Sequence, residues 1–532
     1  MRVSTTATAL FASTGSFTRP FQSDSSPIHH HVGALPFQAR LNWEATVWLI
    51  KVLPRQNRVE APSVTATLEI GSDTVLCHRT KTCMISLAQK LRLGDYFSLG
   101  FGTMIGVGWL VVMDDWLARG GPVGAILGFV IGGAALLPIG YVYGQLVRAM
   151  PDAAGEIAYT ARVFPRSVSF ATGWMMLLAY AIVCPWEAVA IGRIAAYLFP
   201  ALNSVELYRI GARPVYLPHL VVGLTLTVLL TYLNYRGIRL SATFQNWTTA
   251  GVLTLVISFV AAGLQHGSGK NFPPLFNGSG VVSVLLVLQI VPYFMTGFES
   301  VAKSSEEASS DFKPWNFLLA ITLAILVGVA FYTTVIVAVA YVAPWQTLLR
   351  EHFATAAAFE RALGSSRIVS LIMTAALLSL LKVFNGNLVA SSRLLFALGR
   401  RGLADSRLAH IHPVNQTPST AVVCIGAATA VFMFGGEWIL VPIAEVGSVA
   451  SALGWMAACA AYLRLQPTSP GRVAAGAGLT VTFLLLLMKI LPVVPGHFTL
   501  YEWIALAIWV MGGLLLYSGH ASERTVAPDV AR

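Results

Sequence analysis

The sequence predicts an all-α polytopic membrane protein of about twelve transmembrane helices, and three observations carry the prediction. Of the 532 residues, 56% are hydrophobic and 11% charged, with a mean hydropathy of +0.69, far more apolar than an ordinary soluble chain. The apolar residues fall in runs near the ~20 residues that cross a bilayer core as a helix. Two of these runs are interrupted in the middle, one by glycines and one by Pro292, Thr296 and Gly297.

In chain order, the first 83 residues stand apart, being rich in Ser, Thr, Pro and His (SDSSPIHHHVG), with no apolar run long enough for a signal peptide. The stretch Met1 to Arg19 is basic, hydroxylated and free of acid, which matches a transit peptide in composition. Three explanations are open for residues 1–83, and the first is preferred. It is translated upstream sequence, with the true start at Met84 and a short leader MISLAQKLRLGDYFSLG; or a targeting segment; or a disordered extension. His29, His30 and His31 read as a solvated low-complexity tract rather than a metal site.

Residues 84–464 hold ten expected spans, near 95–117, 121–147, 167–199, 215–234, 242–264, 280–300, 317–343, 367–399, 418–436 and 438–463. Two more follow in residues 465–520, near 473–492 and 499–519, and residues 521–532 form a tail. With this numbering one set of loops collects Arg148, Arg162, Arg166, Arg236, Arg239, Lys303, Lys313, Arg393, Arg400, Arg401, Arg407, Arg464 and Arg472. Together with the C-terminal tail they carry about twice the basic residues of the opposite loops, and positive charge marks the cytoplasmic side, so both termini are expected there. The net charge of +11 reflects this bias and the basic N-terminal segment, and calls for no nucleic acid. Cys77, Cys83, Cys184, Cys424 and Cys459 show neither metal nor disulfide spacing.

The first run reads SLGFGTMIGVGWLVV, with Gly100, Gly102, Gly106 and Gly108 inside it. Lipid offers backbone amides no partner, so unwound chain at membrane depth persists only where protein buries it or it lines a cavity. Half-helix N-termini at such breaks carry free N–H groups and a partial positive charge that hold an anion. Close helix packing is the other reading of either cluster alone, since small residues let membrane helices approach. Matched interruptions in two halves of a chain point instead to a transporter site.

Five stretches carry a resemblance: GTMIGVGW in the first span, YVYGQLVRAMPDAAGEIAY across the second, NYRGIRLSATFQ, PYFMTGFESVAKSSEEAS at the sixth, and FNGNLVASSRLLFALGRRG at the eighth. In this order the sequence resembles the amino acid–polyamine–organocation (APC) family of permeases, within the LeuT-like superfamily. The resemblance implies two inverted repeats of five helices, with helices 1 and 6 broken at mid-membrane and two C-terminal helices added. It also implies a substrate carboxylate at the N–H groups of Gly106, Val107 and Gly108, with the Thr103 hydroxyl nearby. Carbonyls between Phe294 and Gly297 would accept from a substrate ammonium, Tyr293 would lie against the substrate side chain, and Trp186 of the third span would line the site. Val107 departs from the small polar residues frequent at its position and leaves the reading there to backbone.

Ionisable groups inside spans are the next signal, because one charge at the bilayer centre costs roughly 2.5 to 3.5 kcal/mol even on a lenient scale. Glu187, Arg193, Glu299 and Lys382 qualify. Glu299 follows the second break, matches a recurrent acidic position of the family, and is a candidate proton carrier; it can equally cap the freed amides there. Lys382 is a candidate for the coupling charge that some family members place on the fifth helix, which has no lysine here, or else a static ion-paired or snorkelling lysine. Glu187 is expected to pair with Lys382 or face the cavity. It lies six residues from Arg193, roughly 600° of helical turn, so the two face different sides and Arg193 is expected to snorkel outward. Asp114 and Asp115 read as a solvated helix end.

No P-loop, HExxH, metal-like Cys/His spacing or nucleophile elbow occurs, so the sequence encodes neither an enzyme nor a cofactor. The reading is a secondary-active amino acid permease working by alternating access, as a proton-coupled symporter or an exchanger (antiporter). A polyamine or amino-alcohol transporter of the same fold, or a non-transporting sensor or channel, are the alternatives. The expected partners are a small amino acid or amine, a proton and the lipid of a plasma or bacterial inner membrane, with no sequence sign of an oligomeric state.

Overall fold

A computed structural model describes residues 91–517 apart from Val107, Ala212, 238–241 and His352, and three short strands before them. These strands, β1 (Ala66–Ile70), β2 (Asp73–Cys77) and β3 (Cys83–Ile85), are hydrogen-bonded in that order, β2 antiparallel to β3. The rest of the expected N-terminal extension, His29 to His31 included, and the tail 521–532 lie outside the described residues.

The first span is α1 (Leu93–Met104) and α2 (Gly108–Val111), running on through one irregular residue into α3 (Met113–Ala149). Gly121, at φ 60° and ψ −180°, divides α3 between the end of the first span and the whole of the second. After the short α4 (Glu156–Ala161), α5 (Arg166–Ala181) and α6 (Val183–Leu198) form the third span. The hairpin of β4 (Glu206–Ile210) and β5 (Arg213–Tyr216) leads into α7 (Leu217–Arg236) and α8 (Ala242–His266). The sixth span is broken into α9 (Gly280–Leu288), α10 (Val291–Met295) and α11 (Ser300–Lys303). Then come α12 (Trp315–Val342), two short helices α13 (Trp345–Leu348) and α14 (Ala354–Leu363), and α15 (Ser366–Arg400). The chain closes with α16 (Ser419–Phe432), α17 (Leu440–Arg464), α18 (Ser469–Ile490) and α19 (Leu500–Leu516). Gly436, at φ 55°, makes the division between α16 and α17 that the hydrophobic pattern places at 436–438.

Among the described residues, eight helical segments are long and apolar enough to cross a bilayer, and the bent sixth span makes nine. The protein is all-α and polytopic. Two groups of helices emerge from the packing: α1, α3, α9 and α12 against one another, and α5, α6, α7, α15 and α16 against one another, with α17 touching α5, α10 and α18. The first group is close because Gly124, Gly128 and Gly132 recur every four residues on α3. A Cβ on Gly128 or Gly132 would sit 2.7 Å from Val287 or Val291, so these glycines let backbones approach.

One expectation is corrected by the same logic. The first interruption does not begin at Gly100 or Gly102, because α1 is helical through both and ends at Met104. Gly100 is a packing residue; a Cβ there would stand 3.2 Å from Val301 and 3.3 Å from Ala324. Among the described residues the unwound stretch is Ile105 and Gly106, between α1 and Gly108.

The basic loops meet on one face. Arg401 pairs with Asp152 at 2.8 Å, Arg166 donates to the Gly402 carbonyl at 2.6 Å, and the Ala153 amide donates to Glu306 at 2.9 Å. The Tyr96 hydroxyl donates to the Ser304 carbonyl at 2.8 Å, tying the start of α1 to the end of α11. Leu91 bridges Ala308 in parallel, its amide donating to the Glu307 carbonyl and its carbonyl accepting from Ser309. On the opposite face a cavity of about 420 Å³ is lined by Asp114, Asp115, Arg193, Arg213, Glu437 and Trp438, among others.

Candidate functional site

The two breaks touch. Gly297 has φ +135°, and a Cβ on it would fall 2.6 Å from the Met104 nitrogen and 2.8 Å from the Thr103 carbonyl carbon. Only a residue without a side chain lets the backbones of the first and sixth spans come this close in this conformation. Tyr332 of α12 spans the pair, its hydroxyl 3.2 Å from the Phe294 carbonyl and 3.3 Å from the Met104 carbonyl. One donor thus serves the last carbonyls of both half-helices, which the breaks leave without intrahelical partners.

Between the breaks lies a cavity of about 30 Å³, lined by Thr103, Met104, Gly106, Gly108, Val183, Trp186, Glu187, Tyr293, Phe294, Thr296, Tyr332, Val383 and Asn387. That volume holds about two waters, so the described state is contracted around its site. Gly108 opens α2, and its N–H is among those a helix start leaves free. The helix is longer than α2 alone, since Val112 donates to the Gly108 carbonyl and Trp116 to the Val112 carbonyl. The Phe294 ring covers Gly108, where a Cβ would stand 2.5 Å from it, and packs edge-on to Trp116. Tyr293 is fixed from behind: its amide donates to Ser448 Oγ at 3.1 Å, and its ring fills the space over Gly447. Trp186 donates to the Leu440 carbonyl at 3.1 Å.

Of the residues singled out by sequence, Thr103, Gly106, Gly108, Trp186, Glu187, Tyr293 and Phe294 line this one cavity. Gly297 lies beside it and joins the breaks. Val107 lies outside the described residues. The Thr103 hydroxyl donates to the Leu99 carbonyl at 2.7 Å, so what it turns toward a ligand is acceptor lone pair.

Glu187 is the ionisable member. It is 3% exposed, one carboxylate oxygen lies 2.9 Å from where a Gly106 Cβ would be, and the other has no hydrogen-bond partner. Lys382 is also buried, but among the described residues no ion pair joins it to Glu187, and it does not line the cavity. Glu299 is fully buried and accepts the Gly297 N–H at 3.0 Å, leaving its other oxygen unpartnered. It caps the second break, one of its two expected roles.

Arg193 corrects another expectation. It does not snorkel: it is 6% exposed, pairs with Glu437 at 3.2 Å and lies 4.9 Å over the Phe353 ring. A guanidinium at this depth is held by a carboxylate and a ring that arrive from distant parts of the chain. Asp115 likewise is paired, with Arg119 at 2.8 Å. Thr296, singled out with the second break, also lines the cavity, whereas sequence reasoning missed Tyr332, Asn387, Val383, Val183 and Met104. Of these only Tyr332 left a signal, as a phenol in the middle of the otherwise apolar run LVGVAFYTTVIVAVA.

Amino acid permeases match the chain over residues 91–516. The chain belongs to the amino acid permease family. This permease is 24% identical over 452 residues to a methylthioribose transporter of Bacillus subtilis (strain 168), covering 81% of this chain and 93% of that protein. It is 25% identical over 455 residues to a branched-chain amino acid permease of the same organism, with the same coverage. A chloroplastic cationic amino acid transporter of Arabidopsis thaliana is 29% identical over 341 residues, 62% of this chain and 58% of the relative. The relatives are permeases and transporters, and the membrane-crossing helices make this permease a multi-pass membrane protein.

Proposed function

We propose that the protein is a secondary-active permease for amino acids that works by alternating access and is driven by proton symport or by exchange. The observation that carries the reading is the contact of two broken helices at one cavity that holds the helix-opening Gly108 and a buried carboxylate with an unpartnered oxygen. The N–H groups at Gly106, Val107 and Gly108 take the substrate carboxylate. Glu187, with the carbonyls between Phe294 and Gly297, takes its ammonium. Tyr293, Trp186, Val183 and Val383 enclose the side chain. Glu299 and Lys382 serve coupling, Glu299 by carrying a proton and Lys382 by holding a fixed charge beside the first helix.

Alternating access fits the packing. The group of α1, α3, α9 and α12 moves against the group of α5, α6, α7, α15 and α16, and the site lies where the two meet. In the described state the basic face is closed by the contacts of Tyr96, Leu91 and Arg401, while the 420 Å³ cavity stands on the opposite face. With the basic face and both termini in the cytoplasm, this is a state closed to the cell interior, in a plasma or bacterial inner membrane.

The test is a thermal-shift series on the purified protein with the twenty L-amino acids, putrescine and ethanolamine. Stabilisation by one or more α-amino acids, absent with the matching amine that lacks the carboxylate, is the expected result. Stabilisation by putrescine or ethanolamine alone would move the substrate to amines.

A further inference from the structure

On the basic side of the second break lies a buried charge cluster that the substrate site does not use. Lys303 of α11 is 6% exposed and Glu156 of α4 fully buried. The ammonium donates to Glu156 Oε1 at 3.1 Å and to the Tyr180 hydroxyl at 3.2 Å, and lies 4.5 Å over the Tyr180 ring. The Tyr143 hydroxyl of α3 donates to the same Glu156 oxygen at 2.9 Å. Glu156 Oε2 has no partner. Glu299, whose Oε1 is also unpartnered, caps α11 four residues before Lys303 and is within the electrostatic influence of Lys303 and Glu156.

The charges do not balance. Among the described residues, two buried carboxylates accompany one ammonium, and the other titratable groups nearby are Tyr143, Tyr159, Tyr180 and Cys459, with Asp152 beyond Tyr159. An excess buried negative charge costs several kcal/mol unless a proton neutralises it, and carboxylates that interact titrate as a pair. Each carboxylate keeps one oxygen free of hydrogen bonds, where a proton can reside.

We propose that Glu156, Lys303 and Glu299 form one site that holds a single exchangeable proton, and that this site closes the basic face. The members sit on α4, on α11 and at the second break, with Tyr143 on α3 and Tyr180 on α5. Opening the basic face separates α11 from α4, breaks the Lys303 contacts and admits water. The carboxylates are then solvated and the shared proton leaves, so opening and proton release are one event. This consequence rests on the proton-coupled reading above; the proton itself does not.

Infrared difference spectroscopy of the detergent-purified full chain at pH 7 counts buried carboxylic acids directly. Glu156→Gln and Glu299→Gln each leave one carboxylate for one ammonium, and each is expected to lose one carboxylic-acid carbonyl band relative to wild type. Lys303→Met removes the ammonium and is expected to gain one. A Glu187→Gln control separates any band of the substrate site. Equal band counts in wild type and in any folded one of the first three variants overturn the proposal, as does a wild type with no such band beyond that of Glu187. Counterflow in proteoliposomes reports on the permease reading separately. Counterflow present with unchanged bands sinks the proton site alone; bands as expected without counterflow sink the permease reading and leave the site standing.

Discussion

At the scale of single residues, the proposed handling of substrate charge turns on Glu187. A buried carboxylate with an unpartnered oxygen is costly unless a cation arrives, and the lining of its cavity includes no Lys or Arg. Glu187→Gln keeps the shape and removes the charge. Hydrogen bonds to charged groups contribute about 1.5 to 3 kcal/mol, so the midpoint concentration of the stabilising amino acid should rise about tenfold or more, measured by thermal shift or radioligand binding. An unchanged midpoint would place the ammonium elsewhere. Tyr332 works differently, because its hydroxyl meets carbonyls of both breaks and has none of its own charge to offer. It is a positioning residue, and its neighbour across the site, Gly297, is the position where any side chain is excluded.

At the scale of elements, the breaks were legible in the sequence and much of their surroundings was not. A backbone that leaves helical geometry inside lipid must be served by special residues, so Gly106, Gly108, Pro292 and Gly297 are visible in the string itself. Tyr332, Asn387 and Val383 lie in ordinary apolar helices, where the face turned inward depends on neighbours far along the chain. The same reason hid the partner of Arg193, since Glu437 reaches it from the turn between α16 and α17. The glycines of α1 show the converse error: Gly100 and Gly102 looked like part of the break but belong to a helix, with Gly100 against Val301. In the proposed cycle, element motion is opposed by the contacts of the basic face. Tyr96→Phe removes the bond from α1 to Ser304, worth about 0.5 to 1.5 kcal/mol. The population open on the basic face should rise about two- to tenfold, read as faster labelling of a Thr103→Cys probe by an impermeant maleimide from that side. No acceleration would mean that this contact does not hold the face closed.

At the scale of the whole molecule, two helix groups meet at one small cavity, with a larger cavity on one face and a network of loop contacts on the other. The proposed alternating access moves these two groups against each other around the small cavity. Its central requirement is that the two broken helices form one site, and Gly297→Ala attacks that requirement directly, because the added methyl would stand 2.6 Å from the Met104 nitrogen at φ +135°. Strain of this type costs on the order of 1 to 3 kcal/mol, enough to push the breaks apart while the helices remain. The decisive measurement is counterflow of a labelled amino acid, chosen by the thermal-shift series, into proteoliposomes of the wild type and of Gly297→Ala that elutes as folded protein. The account predicts saturable counterflow in the wild type, reduced at least tenfold in the variant; no counterflow in the wild type, or equal counterflow in both, would contradict it.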